Sequence, residues 1–394
     1  MENFTKKYKV CSLFTGCGGF DLGFQGGFDH LGVKYPKLPF EIVFANDFDI
    51  DAVNIYKENH KKFNHETDDC ILHEDIRAIK NSEIPSDCDV LLAGFPCQPF
   101  SNAGNRKGVN EQRGTLFEEV FKFIKKSEPS VIILENVRGI LSSKMPDGTK
   151  VPEEIIKRLK NAKDTKGDKI GYKVSEALLL NSSDYGVPQN RYRVIIIATK
   201  CGDVNLLNKE SIYGHSIPVK EENKLVKCVL KYKQSLPNVQ DLWKLSPQQS
   251  TLVPHIKRSW KDIPYEVLPP RFKKIRDNMK KYHSPNFYRR FNHDEICGTI
   301  TASAQPENCG ILHPTEDRRY NVREIARIQS FPDDFTFNNA SIPNKYKVIG
   351  NAVPPVFAHS IAKLSLSLLQ GVQLDKLIQS DDFQSNSNQT LLAL

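Results

Sequence analysis

A thiol stands between two prolines at Pro96-Cys97-Gln98-Pro99, just past the apolar run 89–94. The prolines stiff-set the loop, and a thiolate on such a loop is a strong nucleophile where cations lower its pKa; an inert loop cysteine is the other reading. A second apolar run, 131–136, ends in Glu135-Asn136-Val137. In a sheet that carboxyl would reach the same substrate as Cys97, although a capping or ion-paired role fits it equally. Arg191 and Arg193 open a third run, 193–199. Spacing of two puts both guanidinium groups on one side of an extended chain, to hold a phosphate, to orient a carbonyl, or to pair with surface carboxylates.

A second set has the types that bind a nucleoside. Phe14-Thr15-Gly16-Cys17-Gly18-Gly19-Phe20-Asp21 is a glycine-rich turn into a helix, where bare backbone can approach a ligand, or simply a tight turn. Asp21 breaks the dinucleotide fingerprint and suits a cationic or amino-acid-like group better than a pyrophosphate. Asp47 follows the run 41–46, where a carboxylate accepts ribose hydroxyls, and Asp75 in His73-Glu74-Asp75-Ile76 suits an adenine amino group. Helix capping is the alternative for both. Gly350-Asn351-Ala352-Val353-Pro354-Pro355 is a breaker-rich turn that closes over a ligand or ends a loop.

These groups need a scaffold that gathers strand ends. Apolar runs at 9–14, 41–46, 89–94 and 131–136 read as buried parallel strands, alternating with amphipathic stretches such as 50–59 and 116–126, and a further strand follows at 193–199. The alternation predicts an α/β, doubly wound, Rossmann-like sheet whose crevice lies outside the carboxyl ends of the strands. From Cys201 to Phe291 the periodicity fades, and it returns at 321–331 and 358–369. We therefore expect residues 1–200 with 340–394 to form one domain, and 201–339 a smaller irregular one. With 394 residues, 39% of them hydrophobic, the chain can bury a large core. Its charged fraction of 26%, the lack of an apolar run near twenty residues and the absence of a signal-peptide core argue against a membrane span or export. Nine cysteines without a CxxC pair suit a reducing cytoplasm and no structural zinc.

Lys and Arg total 55 against 47 Asp and Glu, a formal +8. Between Thr251 and Arg290 stand eleven Lys/Arg and three Asp/Glu, so one window carries the whole excess. Trp260, Tyr265, Phe272, Tyr282, Phe287 and Tyr288 lie among them, which fits a nucleic-acid surface, or a solvated basic face over an aromatic core.

In order along the chain, FTGCGG, NDFD, the PCQ loop, RGTLF, ENV, QNRYR, REIARIQSFP and GNAVPP resemble the cytosine-5 DNA methyltransferase family in its bacterial restriction-modification form. The resemblance implies a catalytic and S-adenosylmethionine-binding domain, with target recognition in 201–339. Cys97 would add to carbon 6 of cytosine, Glu135 would hold a proton at ring nitrogen 3, and Arg193, with Arg191 close by, would contact the base carbonyl. Phe14 would lie against adenine and the backbone of Gly16, Cys17, Gly18 and Gly19 against the methionine portion. Asp47 and Phe48 would flank the ribose and Asp75 and Ile76 the adenine, with Pro96, Leu116, Asn351 and Ala352 completing the pocket. The family usually has glutamate at Asp47 and often serine at Ala352. The product would be S-adenosylhomocysteine, and no metal is required.

A target inside stacked DNA must be flipped out, and the loop 101–114 would close over it. Gln98, Ser101, Arg106 and Lys107 from that loop, with Arg271, Lys273, Lys274, Arg289 and Arg290 from the basic window, are the expected DNA contacts. Double-stranded DNA is the expected partner, a cognate restriction endonuclease a second, and action as a monomer in the bacterial cytoplasm is expected. An RNA cytosine-5 methyltransferase uses the same chemistry, but the long basic recognition segment suits duplex DNA better. A catalytically inactive DNA-binding relative would have lost Cys97 or Glu135, and both are in place.

Overall fold

The computed structural model describes residues 4, 6–63, 70–96, 110–202, 204, 207–278 and 286–371, with 60–63 and 110–115 by backbone alone. Ten strands are β1 Tyr8–Leu13, β2 Phe28–His30, β3 Val33–Tyr35, β4 Phe40–Asp47, β5 Ile71–His73, β6 Val90–Ala93, β7 Val131–Val137, β8 Lys173–Val174, β9 Leu178–Asn181 and β10 Tyr192–Thr199. Eight of them form one sheet, seven in the order β5-β4-β1-β6-β7-β10-β8 with β9 also on β10, and β2 pairs with β3 in a second sheet. The pairings from β5 through β7 are parallel, whereas β10 runs antiparallel to β7. β8 and β9 both pair with β10 but differ by one residue in register, so 173–181 is a single edge strand interrupted by a bulge.

The parallel strands are continuous apolar runs because both faces are covered. Val10, Ile42, Leu92, Ile133 and Ile197 face one core, and their alternates Cys11, Phe44, Leu91, Ile132 and Ile196 face the other. Helices α1 Gly19–Gln25, α2 Ile50–Phe63, α3 Asn110–Ser127 and α4 Val151–Lys160 alternate with strands in the first half. Short helices α5 Lys209–Tyr213, α6 Val226–Val229, α7 Pro247–Leu252 and α8 Pro270–Asp277 follow, then α9 Val322–Ile328, α10 Ile342–Asn351 and α11 Pro355–Leu369. α3 and α4 cover the second core, while α1, α9, α10 and α11 close the first. A Cβ on Gly23 of α1 would stand 2.3 Å from the Cβ of Ala358 in α11, so these two helices meet backbone to backbone. Ile342–Leu369 is apolar enough in sum to match a bilayer, but it breaks at 352–354 and is mostly buried against the core.

The second half contributes to two clusters. Phe291, Cys297, Ile300, Ile311, Tyr320, Ile325 and Phe337 pack into the core under the sheet. The separate cluster is smaller: Leu252, Val253, Ile256, Trp260, Ile263, Leu268, Phe272, Phe287, Tyr288 and Leu312. Trp260, Phe272, Phe287 and Tyr288 are therefore core, and only Tyr265 of the described window aromatics is exposed. Tyr282 lies outside the described residues.

Candidate active site

β1 has β4 on one side and β6 on the other, so the chain winds away in both directions from its carboxyl end. That switch point is where an open sheet leaves a crevice. A cavity of about 320 Å³ lies there, lined by Phe14, Thr15 and Gly16 after β1, Asp47 and Phe48 after β4, Gly94, Phe95 and Pro96 after β6, and Glu135 to Val137 of β7. Arg193 and Gly350 to Val353 close the far side. This volume falls at the small end of ligand sites, roughly 300–1,000 Å³.

The glycine turn is fixed from behind. Phe14 takes a left-handed φ of 56°, unusual outside glycine. The amide of Thr15 donates to the Asn46 carbonyl at 3.1 Å. Asp21 is buried and accepts hydroxyl bonds from Ser12 at 2.6 Å, Thr15 at 2.7 Å and Tyr56 at 2.7 Å. It is thus the anchor of the turn and not a ligand carboxylate, which corrects the reading of its charge. Only Gly16 of the glycines faces the cavity, and a Cβ there would meet nothing within 4 Å. Gly18 and Gly19 are needed for packing, since a Cβ would stand 2.8 Å from the Tyr56 ring or 2.4 Å from the Val353 carbonyl. Cys17 is buried, its thiol toward the Val348 carbonyl.

Asp47 receives the Gly16 amide on Oδ2 at 2.8 Å and the Asp49 amide on Oδ1 at 2.9 Å. Burial pushes its carboxyl above the ordinary value even though these amides favour the charge. Phe48 beside it is 70% exposed, an aromatic face at the cavity wall. Asp75 instead caps the turn 76–78 and pairs with Arg77, Ile76 is core, and Leu116, on α3, packs against the second core. None of the three is among the described residues lining the cavity.

At the other end Arg193 Nε stands 2.7 Å from Glu135 Oε1, with both side chains nearly buried. Burial pulls the Arg193 guanidinium below its ordinary pKa, and Glu135 opposes that pull. Arg191 has no share in the pair. It is fully buried and donates to the carbonyls of Ile300 at 2.8 Å, Gly350 at 2.9 Å and Ala352 at 3.1 Å. The two arginines share a side of the chain, as their spacing predicts, but one faces a carboxylate and the other clamps backbone. Nearby, Gln189 donates to Gln329, which donates to the Ala352 carbonyl, each at 2.5 Å.

Cys97, Gln98, Ser101, Arg106 and Lys107 lie outside the described residues. The root of their loop is held by Asn136, whose amide donates to the Phe95 carbonyl at 2.9 Å. Sequence reading missed that tie, as it missed Lys347, which bonds Asp49 at 2.6 Å on the cavity wall. The signal in both cases was adjacency to a motif already singled out. In the basic window, Arg271 and Lys274 are exposed on α8, while Lys273 sits over Tyr265 and Arg289 pairs with Glu295. Arg290 is buried and donates to the carbonyls of Ile256, Val253, His313 and Glu316, so it cannot serve as a DNA contact.

Residues 8–366 match the family model described as C-5 cytosine-specific DNA methylase. The chain belongs to that family. Type II methyltransferase M.FnuDI of Fusobacterium nucleatum is 31% identical over 90% of this chain and 93% of its own length. Type II methyltransferase M.MthTI of Methanothermobacter thermautotrophicus is 31% identical over 92% and 98%. Among solved structures, the Dnmt2 methyltransferase of S. pombe superposes with a TM-score of 0.61 at 19% identity, covering 92% of this chain and 99% of that one, a likeness of fold. Membership makes the chain a DNA cytosine-5 methyltransferase.

Proposed function

We propose that this enzyme methylates carbon 5 of one cytosine in a short duplex site, as the modification partner of a restriction endonuclease in a bacterial cytoplasm, and that it acts as a monomer. The buried Glu135–Arg193 pair, at one end of a cavity whose other end is Phe14, Gly16 and Asp47, carries the reading. It joins a cradle suited to a nucleoside with a proton-bearing group suited to a pyrimidine. S-adenosylmethionine, when bound, supplies a methyl carbon on a cationic sulfur and leaves as S-adenosylhomocysteine. Asp47 would accept its ribose hydroxyls, Phe14 and Phe48 would flank its flat ring, and the open face of Gly16 would leave room for the amino-acid end.

Carbon 5 of a free cytosine is too electron-poor to take a methyl group. The Cys97 thiolate adds to carbon 6, and Glu135 gives a proton to nitrogen 3 as charge builds there, which leaves an enamine with a nucleophilic carbon 5. Arg193 keeps Glu135 oriented and faces the base carbonyl. After methylation a base takes the carbon 5 proton, nitrogen 3 returns its proton to Glu135 as the carbon–sulfur bond breaks, and the thiolate is released. Arg271 and Lys274 on α8 are the recognition-side cations best placed for DNA phosphates.

Incubation with S-adenosylmethionine and duplexes containing 5-fluorocytosine tests the reading. Fluorine cannot leave as a proton does, so a covalent adduct at Cys97, absent in Cys97→Ser, is expected on a denaturing gel. An adduct with RNA alone, or with neither polymer, overturns it.

A further inference from the structure

A second cleft of about 440 Å³ opens beside the catalytic cavity and shares Val137, Arg193, Gly350 and Asn351 with it. Its rim carries Arg138 and Tyr192, to which the reaction above gives no task. The register that pairs Arg193 with Val137 brings Tyr192 beside Arg138, and cross-strand neighbours share a face. The Arg138 guanidinium accordingly lies 5.7 Å from the Tyr192 ring centre. Arg138 is exposed and makes no ion pair among the described residues. Tyr192 is 44% exposed, and of the six exposed large hydrophobic side chains among the described residues, Phe48, Val137 and Tyr192 line the two joined clefts. Thr299 and Thr301 form the opposite wall.

An unpaired guanidinium stacked on an exposed ring recognises an anion joined to a flat or apolar group, which in nucleic acid is phosphate and deoxyribose. We propose that Arg138 and Tyr192 form a subsite for the nucleotide directly flanking the flipped cytosine, with Arg138 on its phosphate and Tyr192 against its sugar. The proposal rests on the reading of the main cavity as the cytosine site. It makes Arg138 a positioning residue that sets how deep the flipped base sits, separate from Glu135 and Arg193.

The test compares wild type, Arg138→Gln, Tyr192→Ala and Tyr192→Phe on duplexes bearing a neutral methylphosphonate at either phosphate next to the target cytosine. Arg138→Gln is expected to weaken binding of ordinary DNA and to lower the slope of log affinity against log salt by about 0.9, the loss of one phosphate contact. At one flanking position the methylphosphonate should weaken wild type as much as the substitution does, and Arg138→Gln no further. Tyr192→Ala should lose roughly fivefold to twentyfold in DNA affinity, and Tyr192→Phe should restore it. Unchanged affinity for S-adenosylmethionine controls for folding. Additive losses at both phosphates, or an unchanged salt slope, overturn the subsite while wild-type methylation stands. A wild type that modifies no DNA sinks the underlying reading instead.

Discussion

Glu135 and Arg193 sit on neighbouring antiparallel strands, and the residue directly opposite Arg193 is Val137, so the two side chains meet diagonally on one face at 2.7 Å. The register of β10 against β7 therefore sets the Glu135–Arg193 pair, and a one-residue slip would put Arg193 on the other face of the sheet. Glu135→Gln keeps the shape and removes the transferable proton. We expect kcat to fall by at least about a hundredfold with DNA and S-adenosylmethionine affinities little changed, which single-turnover kinetics and equilibrium binding will separate.

Asp21 is expected to behave as structure. Asp21→Ala leaves three buried hydroxyls without their acceptor, so stability should drop by about 3 kcal/mol or more in urea unfolding, and cofactor affinity should fall with it. Tyr56→Phe removes one of the three and should cost about 1–2 kcal/mol. A variant with normal stability and lost cofactor binding would return Asp21 to the role of ligand.

Asp47 binds its proton more tightly than an ordinary carboxyl because it is buried. Ribose hydroxyls donate to the charged form, so affinity for S-adenosylmethionine should be full well above that raised pKa and decline as pH falls through it. Titration calorimetry across acidic pH should show the decline at a midpoint above 3.8, and Asp47→Asn should be weak and flat.

His30 and His359 are held neutral by burial, each with its pKa lowered from 6.5 to about 4. Below 6.5 the unfolded chain takes up protons that the folded chain refuses until about 4. Stability is therefore complete above 6.5 and lost on the way down to 4, on the order of 3 kcal/mol for each group. His30→Gln keeps a donor for the Arg327 carbonyl and should flatten part of that slope in thermal melts at stepped pH.

The strand ends were legible because a doubly covered strand is a continuous apolar run and its carboxyl end is where the run stops. Gly16, Asp47, Pro96 and Glu135 were found by that rule and Arg193 by its spacing of two from Arg191 at the start of β10, and all line one cavity. The rule fails where direction matters more than type. Asp21 and Arg290 have the charges of ligand groups, yet each is turned inward onto hydroxyls or carbonyls, and nothing in a linear string of residues tells which way a side chain points. Asp75 and Ile76 follow a strand end as well, but a cap and a core position absorb them. The recognition segment was opaque because its own core is assembled from short helices and turns between Leu252 and Leu312, without the period that reveals a longer element.

The meeting of α1 with α11 bears on when the enzyme comes to life. Gly23 and Ala358 touch across more than three hundred residues, and Phe20 and Phe24 share a core with Val356 and Ile361. During synthesis the helix that follows the glycine turn can pack on β4 early, through Phe24 and Phe40, but its partner α11 arrives only when almost all the described chain has left the ribosome. The glycine turn and its helix, though encoded early, therefore gain their last packing surface late, and a chain cut short before α11 would lack it.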